Sequence, residues 1–207
     1  RVVMGVRTLE KIVEALFLET GLLEFRQAGE AESVVNSLQR TNNTLPRHVQ
    51  HNLTAILVED ELPPRDLFRL TTALKKYAEH IRMNKEAMLA YVLITSYQAD
   101  LLLKHNKTLA QHSSPPNRVW KQISIALSFA SVANRLYSQT TTDPGLKYFL
   151  VRKAVHYANE AIKKEEERRN LAFPLLYIVA ARAEHEFALI EQPIKWLGHA
   201  TTHWQKA

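Results

Sequence analysis

From Asp143 to Arg169 the chain reads DPGLKYFLVRKAVHYANEAIKKEEERR. Leu146, Leu150, Ala154, Tyr157, Ala158, Ala161 and Ile162 recur at steps of three, four and seven, which lines them along one face of an α-helix rather than alternating them across a strand. Asp143-Pro144, following Thr140-Thr141-Thr142, supplies an N-cap and then a proline whose missing N–H costs nothing in a first turn. The spacing therefore predicts a helix over about 145–168. Its end, KKEEERR from Lys163 to Arg169, loses the apolar stripe and is expected to project into solvent, where a pair such as Glu165 with Arg169 contributes a few tenths of a kcal/mol.

The same periodicity extends along the chain. Breaks at proline, glycine and Asn/Ser/Thr clusters leave nine helical segments, at about 3–26, 30–40, 46–58, 65–82, 85–105, 116–139, 145–168, 172–190 and 193–207. Pro46, Pro64 and Pro193 stand at or near first turns. The segment MLAYVLITSYQADLLL, Met88 to Leu103, is apolar nearly all round and belongs in the middle of the structure, with Tyr91 and Tyr97 as core tyrosines. NKTLAQHSSPPN, 106–117, is read as the longest irregular stretch. It separates an N-terminal part of about five helices, 1–105, from a C-terminal part, 116–207, in one continuous domain. Only five glycines and few β-branched alternating runs argue against a sheet. Short connections make sequential helices antiparallel neighbours. The fold class is all-α: an irregular α-solenoid, or alternatively a compact helical bundle.

Small residues at Ala154, Ala158 and Ala161, and again at Ala200 and Ala207 around Trp204, let two helices approach closely while an aromatic fills the gap between them. With Trp120-Lys-Gln-Ile123-Ser124 as the opening of a first helix, residues 116–207 resemble a tetratricopeptide-like helical repeat. The offset from Ala154 to Ala200 is longer than the 34-residue repeat, which implies longer helices. The resemblance implies a right-handed stack of helix pairs with a concave wall made by first helices, here 85–105, 116–139 and 172–190, suited to a peptide or partner helix. Polar residues off the packing stripes of these helices, Gln98, Asn134, Arg135, Arg182 and His185, become the candidate partner contacts. A solenoid also needs polar caps, and Ala207 falls in mid-stripe. The chain is thus expected to be part of a longer protein with further domains, its native start also lying before Arg1.

Composition narrows the chemistry. Without cysteine there is no disulfide, thiolate metal site or cysteine nucleophile. The longest uncharged runs, Ala87–Ala99 and Gln122–Asn134, fall short of the roughly 18 residues a membrane span needs, and with no signal peptide in view a cytoplasmic location is expected. Three N-x-T triplets, at Asn42, Asn52 and Asn106, hint faintly at glycosylation. No glycine-rich phosphate loop or nucleophile elbow appears, so no cofactor is expected and no catalytic residue is named. Glu59-Asp60-Glu61 reads as a solvated turn cluster rather than an acid–base pair. Near the end, Leu197, Ala200, Trp204 and Ala207 form a packing stripe with His199 and His203 on its flank; two histidines without a third ligand do not make a zinc site.

The net charge of +6 is uneven, about +1 over residues 1–117 and +5 over 118–207. That bias favours an acidic protein or peptide partner. A nucleic-acid-associated helical domain is the alternative, with Lys147, Arg152, Lys153, Lys163, Lys164, Arg168 and Arg169 meeting phosphates, although interleaved glutamates and the lack of an aromatic platform weigh against it. An all-α enzyme is the third reading. The first, a non-enzymatic interaction or regulatory module, fits best.

Overall fold

The computed structural model describes residues 6–44, 64–82, 87–112, 116–169, 172–190 and 202–206, and among them every regular element is a helix. The fold is all-α. Two compact units divide the chain, Arg1–His112 and Ser113–Ala207.

In the N-terminal unit, α1 (Val6–Glu19) packs on α2 (Glu30–Thr44), and α3 (Pro64–Arg82) on α4 (Met88–Lys104), with α4 also touching α1 and α2. Ala90 through Ser96 on α4 are all buried, as an apolar surface without a polar face requires. α1 stops at Glu19 rather than running to 26. Gly21 takes a left-handed φ of 73°, its N–H bonds to Leu18 O at 3.1 Å and the Leu22 N–H to Phe17 O at 3.0 Å. This is a Schellman stop, sealed by the buried Leu22 side chain. A 3₁₀ turn, Leu23–Phe25, follows. α2 runs four residues beyond its expected end at 40, and α5 (Asn106–Gln111) turns half of the expected irregular stretch into helix. Asn42 is buried and accepts a hydrogen bond from the Tyr77 hydroxyl at 2.5 Å, so its triplet offers no accessible acceptor for a glycan. Asn106 opens α5, and Asn52 lies outside the described residues, as does the segment expected at 46–58.

In the C-terminal unit, α6 (Pro116–Ser138), α7 (Pro144–Arg169) and α8 (Pro174–Ala188) all touch one another. Contacts across α6 and α7 pair Ser131 with the Ala154 carbonyl and Ser124 with Glu165, so the two helices run antiparallel. Asn159 with Glu184 and Tyr177 with Glu166 set α7 antiparallel to α8 in the same way. Ala130 and Ala133 on α6 and Ala154, Ala158 and Ala161 on α7 are buried, which is what small residues at a close helix crossing do. The start of α7 is as expected: Asp143 Oδ1 accepts from the Leu146 N–H at 2.8 Å and Pro144 is the first helical residue. Asp143→Ala should therefore cost about 1 kcal/mol in urea unfolding followed by tryptophan fluorescence; an unchanged midpoint would mean the cap is idle.

The charged end of α7 overturns its expectation. Lys164 and Glu165 are buried, and Glu165 is the acceptor of Ser124 Oγ from α6 at 3.2 Å, of Arg168 Nε at 3.2 Å and of Arg168 Nη2. Arg169 Nε lies 3.7 Å from the same carboxylate, Lys164 bonds Glu167 at 2.9 Å, and the Lys164 ammonium sits 5.2 Å from the Trp120 ring centre. The run KKEEERR thus turns Lys164 and Glu165 inward as an ionic clasp between α7 and α6, while Lys163, Glu167 and Arg169 stay exposed.

Candidate recognition groove

Three of the candidate contacts come together in the C-terminal unit. Arg135 from α6 and Arg182 and His185 from α8 line an open groove of about 350 Å³ with Glu186 and Trp204. Arg182 and His185 are three residues apart, which places them on one face of α8. Both are exposed. Arg135 is held across the helix pair: its Nη1 lies 3.8 Å from Glu186 Oε1, which also accepts from Gln139 Nε2 at 2.5 Å. Arg182 is exposed and makes no ion pair among the described residues. One carboxylate thus faces two guanidiniums and an imidazole, and Trp204, 46% exposed, adds an apolar wall.

Gln98 and Asn134 do not belong to any such surface. Gln98 is buried on α4, its Nε2 donating to the Thr71 carbonyl of α3 at 2.9 Å. Asn134 is buried on α6 and its Nδ2 donates to the Ala130 carbonyl one turn back at 2.8 Å. A buried side-chain amide can direct its N–H to a backbone carbonyl, so polarity alone does not place such a residue outside.

The wall of the groove also reverses an expectation. The stripe reading set Trp204 in the packing face and His203 on its flank. In the helical stretch 202–206 it is His203 that turns inward, its Nδ1 2.7 Å from Oε2 of Glu184. Glu184 is 1% exposed on α8, with Asn159 Nδ2 of α7 at 3.5 Å from its other oxygen. An interior carboxylate left without a counter-group costs several kcal/mol, more than exposing part of an indole. The sequence signal was Glu184 itself, a carboxylate within the alanine-rich face formed by Ala180, Ala181 and Ala183. The rings of His203 and Tyr177 lie 6.0 Å apart, and the Lys206 ammonium sits 5.6 Å from the Tyr177 ring centre. The Tyr177 hydroxyl, which donates to Glu166 at 2.8 Å, is held above the ordinary tyrosine range by burial first and by that glutamate second.

The basic residues of α7 are largely committed. Lys164, Arg168 and Arg169 belong to the clasp, Lys163 lies 3.8 Å from Glu160, and Lys153 rests over the rings of Phe149 and Tyr157. A second groove, about 780 Å³, runs between α1 and α2, but its charges alternate: Arg7, Lys11 and Arg26 face Glu10, Glu14 and Glu32, and Arg26 lies 3.6 Å from Glu14. Tyr91 is buried; burial pushes the Tyr97 hydroxyl up to about 12, with the Glu19 charge adding to it. Among the described residues no three His, Asp or Glu side chains are grouped to hold a metal ion, and no helix is long and apolar enough to cross a membrane. His199 and the Glu59-Asp60-Glu61 cluster lie outside the described residues. No family model, curated protein or solved structure matches the chain.

Proposed function

We propose that the C-terminal unit is a non-enzymatic recognition module of tetratricopeptide-like stacking, whose groove takes an acidic segment of a partner protein. The observation that carries this reading is the convergence of Arg135, Arg182 and His185, from two helices, beside a half-exposed tryptophan. Arginine offers a planar fork of donors for a carboxylate, and an indole offers area for the flanking aliphatic carbons of a peptide. Arg135 is fixed in place by Glu186 and supplies field; Arg182 supplies the new ion pair. The nucleic-acid reading is weaker because the long basic helix spends its cations on its own glutamates and rings.

A fluorescently labelled glutamate-rich peptide, titrated against the whole chain by anisotropy, tests it. Arg182→Glu should weaken binding at least about tenfold, the loss of one ion pair and the gain of one repulsion, and added salt should weaken wild-type binding in the same direction. Equal affinity of the two proteins would remove the groove as the acidic-segment site.

A further inference from the structure

We infer that His203 is a positioning residue for this groove: by closing on the buried Glu184 carboxylate it docks the 202–206 stretch and thereby builds the tryptophan wall, so that recognition depends on a contact the ligand never touches. The inference rests on the reading of the groove as an acidic-segment site.

Trp204 reaches the groove from the 202–206 stretch, whereas Arg135, Arg182, His185 and Glu186 stand on α6 and α8. The groove is therefore complete only when that stretch lies against α8. The contacts that hold it there include the His203–Glu184 hydrogen bond at 2.7 Å, the His203 ring beside the Tyr177 ring, and the Lys206 ammonium over the same tyrosine. The two ring contacts are of the kind that contributes little when partly exposed. The histidine differs because its partner is buried. Undocking would leave the Glu184 carboxylate, 1% exposed, without its imidazole and with the Asn159 amide at a long 3.5 Å. That penalty makes the docked arrangement the favoured one. In a helical turn successive side chains diverge by about 100°, so fixing residue 203 inward fixes residue 204 over the groove. A ligand that touches Trp204 binds the docked arrangement better, and by linkage anything that undocks the stretch lowers apparent affinity by the fraction still docked.

The experiment uses the whole chain with Trp204 as its only tryptophan, in a W120F/W196F background, and reads two quantities: quenching of Trp204 by neutral acrylamide, and affinity for the labelled glutamate-rich peptide. His203→Ala should raise quenching about twofold and weaken the peptide about tenfold, while adding peptide to the parent should lower quenching. Because His203→Ala strands a buried carboxylate, a second variant, E184L/H203A, fills the buried position on α8 with an apolar group and removes the histidine contact together; it should remain helical and show the same rise in quenching and loss of affinity. Unchanged quenching in both variants overturns the docking role. Raised quenching with unchanged peptide affinity overturns the control of recognition. Raised quenching in variants of a parent that binds no acidic peptide supports the docking contact and removes the ligand proposed for the groove, so the two readings fail separately.

Discussion

Glu165→Ala should lower the unfolding free energy of the C-terminal unit by about 3–5 kcal/mol, the cost of breaking a buried ion pair from one side. Glu165 is fully buried, and the Arg168 side chain is 8% exposed. Alanine at 165 would leave that guanidinium without its carboxylate, free Ser124 Oγ from its α7 acceptor, and remove the partner of Arg169. The expected loss exceeds that of an exposed i,i+4 pair by roughly tenfold, so a single measurement separates the clasp from a solvated charge run. All three tryptophans, Trp120, Trp196 and Trp204, belong to this unit, so their fluorescence in urea reports its unfolding directly. Glu165→Leu with Arg168→Leu removes both charges; it should recover most of the stability, since replacing a buried pair by apolar groups is often neutral. A loss below about 1 kcal/mol for Glu165→Ala would restore the solvated reading.

Helical periodicity made much of the fold legible, for reasons that particular residues show. α7 was visible because its stripe, its Asp143 cap and Pro144 agree, and α4 because an all-apolar segment of its length has nowhere to lie but the interior. The stop at Gly21 was also written in the chain, as a glycine after a helix followed by a leucine able to seal it, but periodicity carried the expected helix past it. The clasp was hidden for a different reason. Charge reads as solvent in a single-helix pattern, and only Ser124 and Trp120, more than forty positions away, make the Lys164–Glu165 face an interior one. At the groove, Arg135, Arg182 and His185 share a surface because a guanidinium or imidazole off the stripe is rarely buried without a partner. Gln98 and Asn134 do not, because an amide nitrogen can find a backbone carbonyl inside. Trp204 and His203 exchanged roles because burial of Glu184 sets a demand that hydrophobicity scales do not register.

Tyr77→Ala should destabilise the N-terminal unit by a comparable amount, about 3–5 kcal/mol, from aromatic area lost and a cavity left among packed neighbours. Tyr77 on α3 has no exposed surface and lies in a run that also buries Leu70, Ala73, Leu74, Ala78 and Ile81. Its hydroxyl donates to Asn42 Oδ1 on α2 at 2.5 Å, and burial holds it well above the ordinary tyrosine range. Two effects are therefore combined in one side chain, and Tyr77→Phe separates them. The phenylalanine variant keeps the ring and loses the hydroxyl, for an expected cost of about 0.5–1.5 kcal/mol. Amide hydrogen exchange along α2 and α3, with circular dichroism in urea, reads both. If the ring does the anchoring, the alanine variant speeds exchange in α2 and α3 alike and the phenylalanine variant scarcely does. Equal losses in the two variants would assign the α2–α3 contact to the hydroxyl alone, and a loss below about 1 kcal/mol for alanine would contradict the packing of this unit.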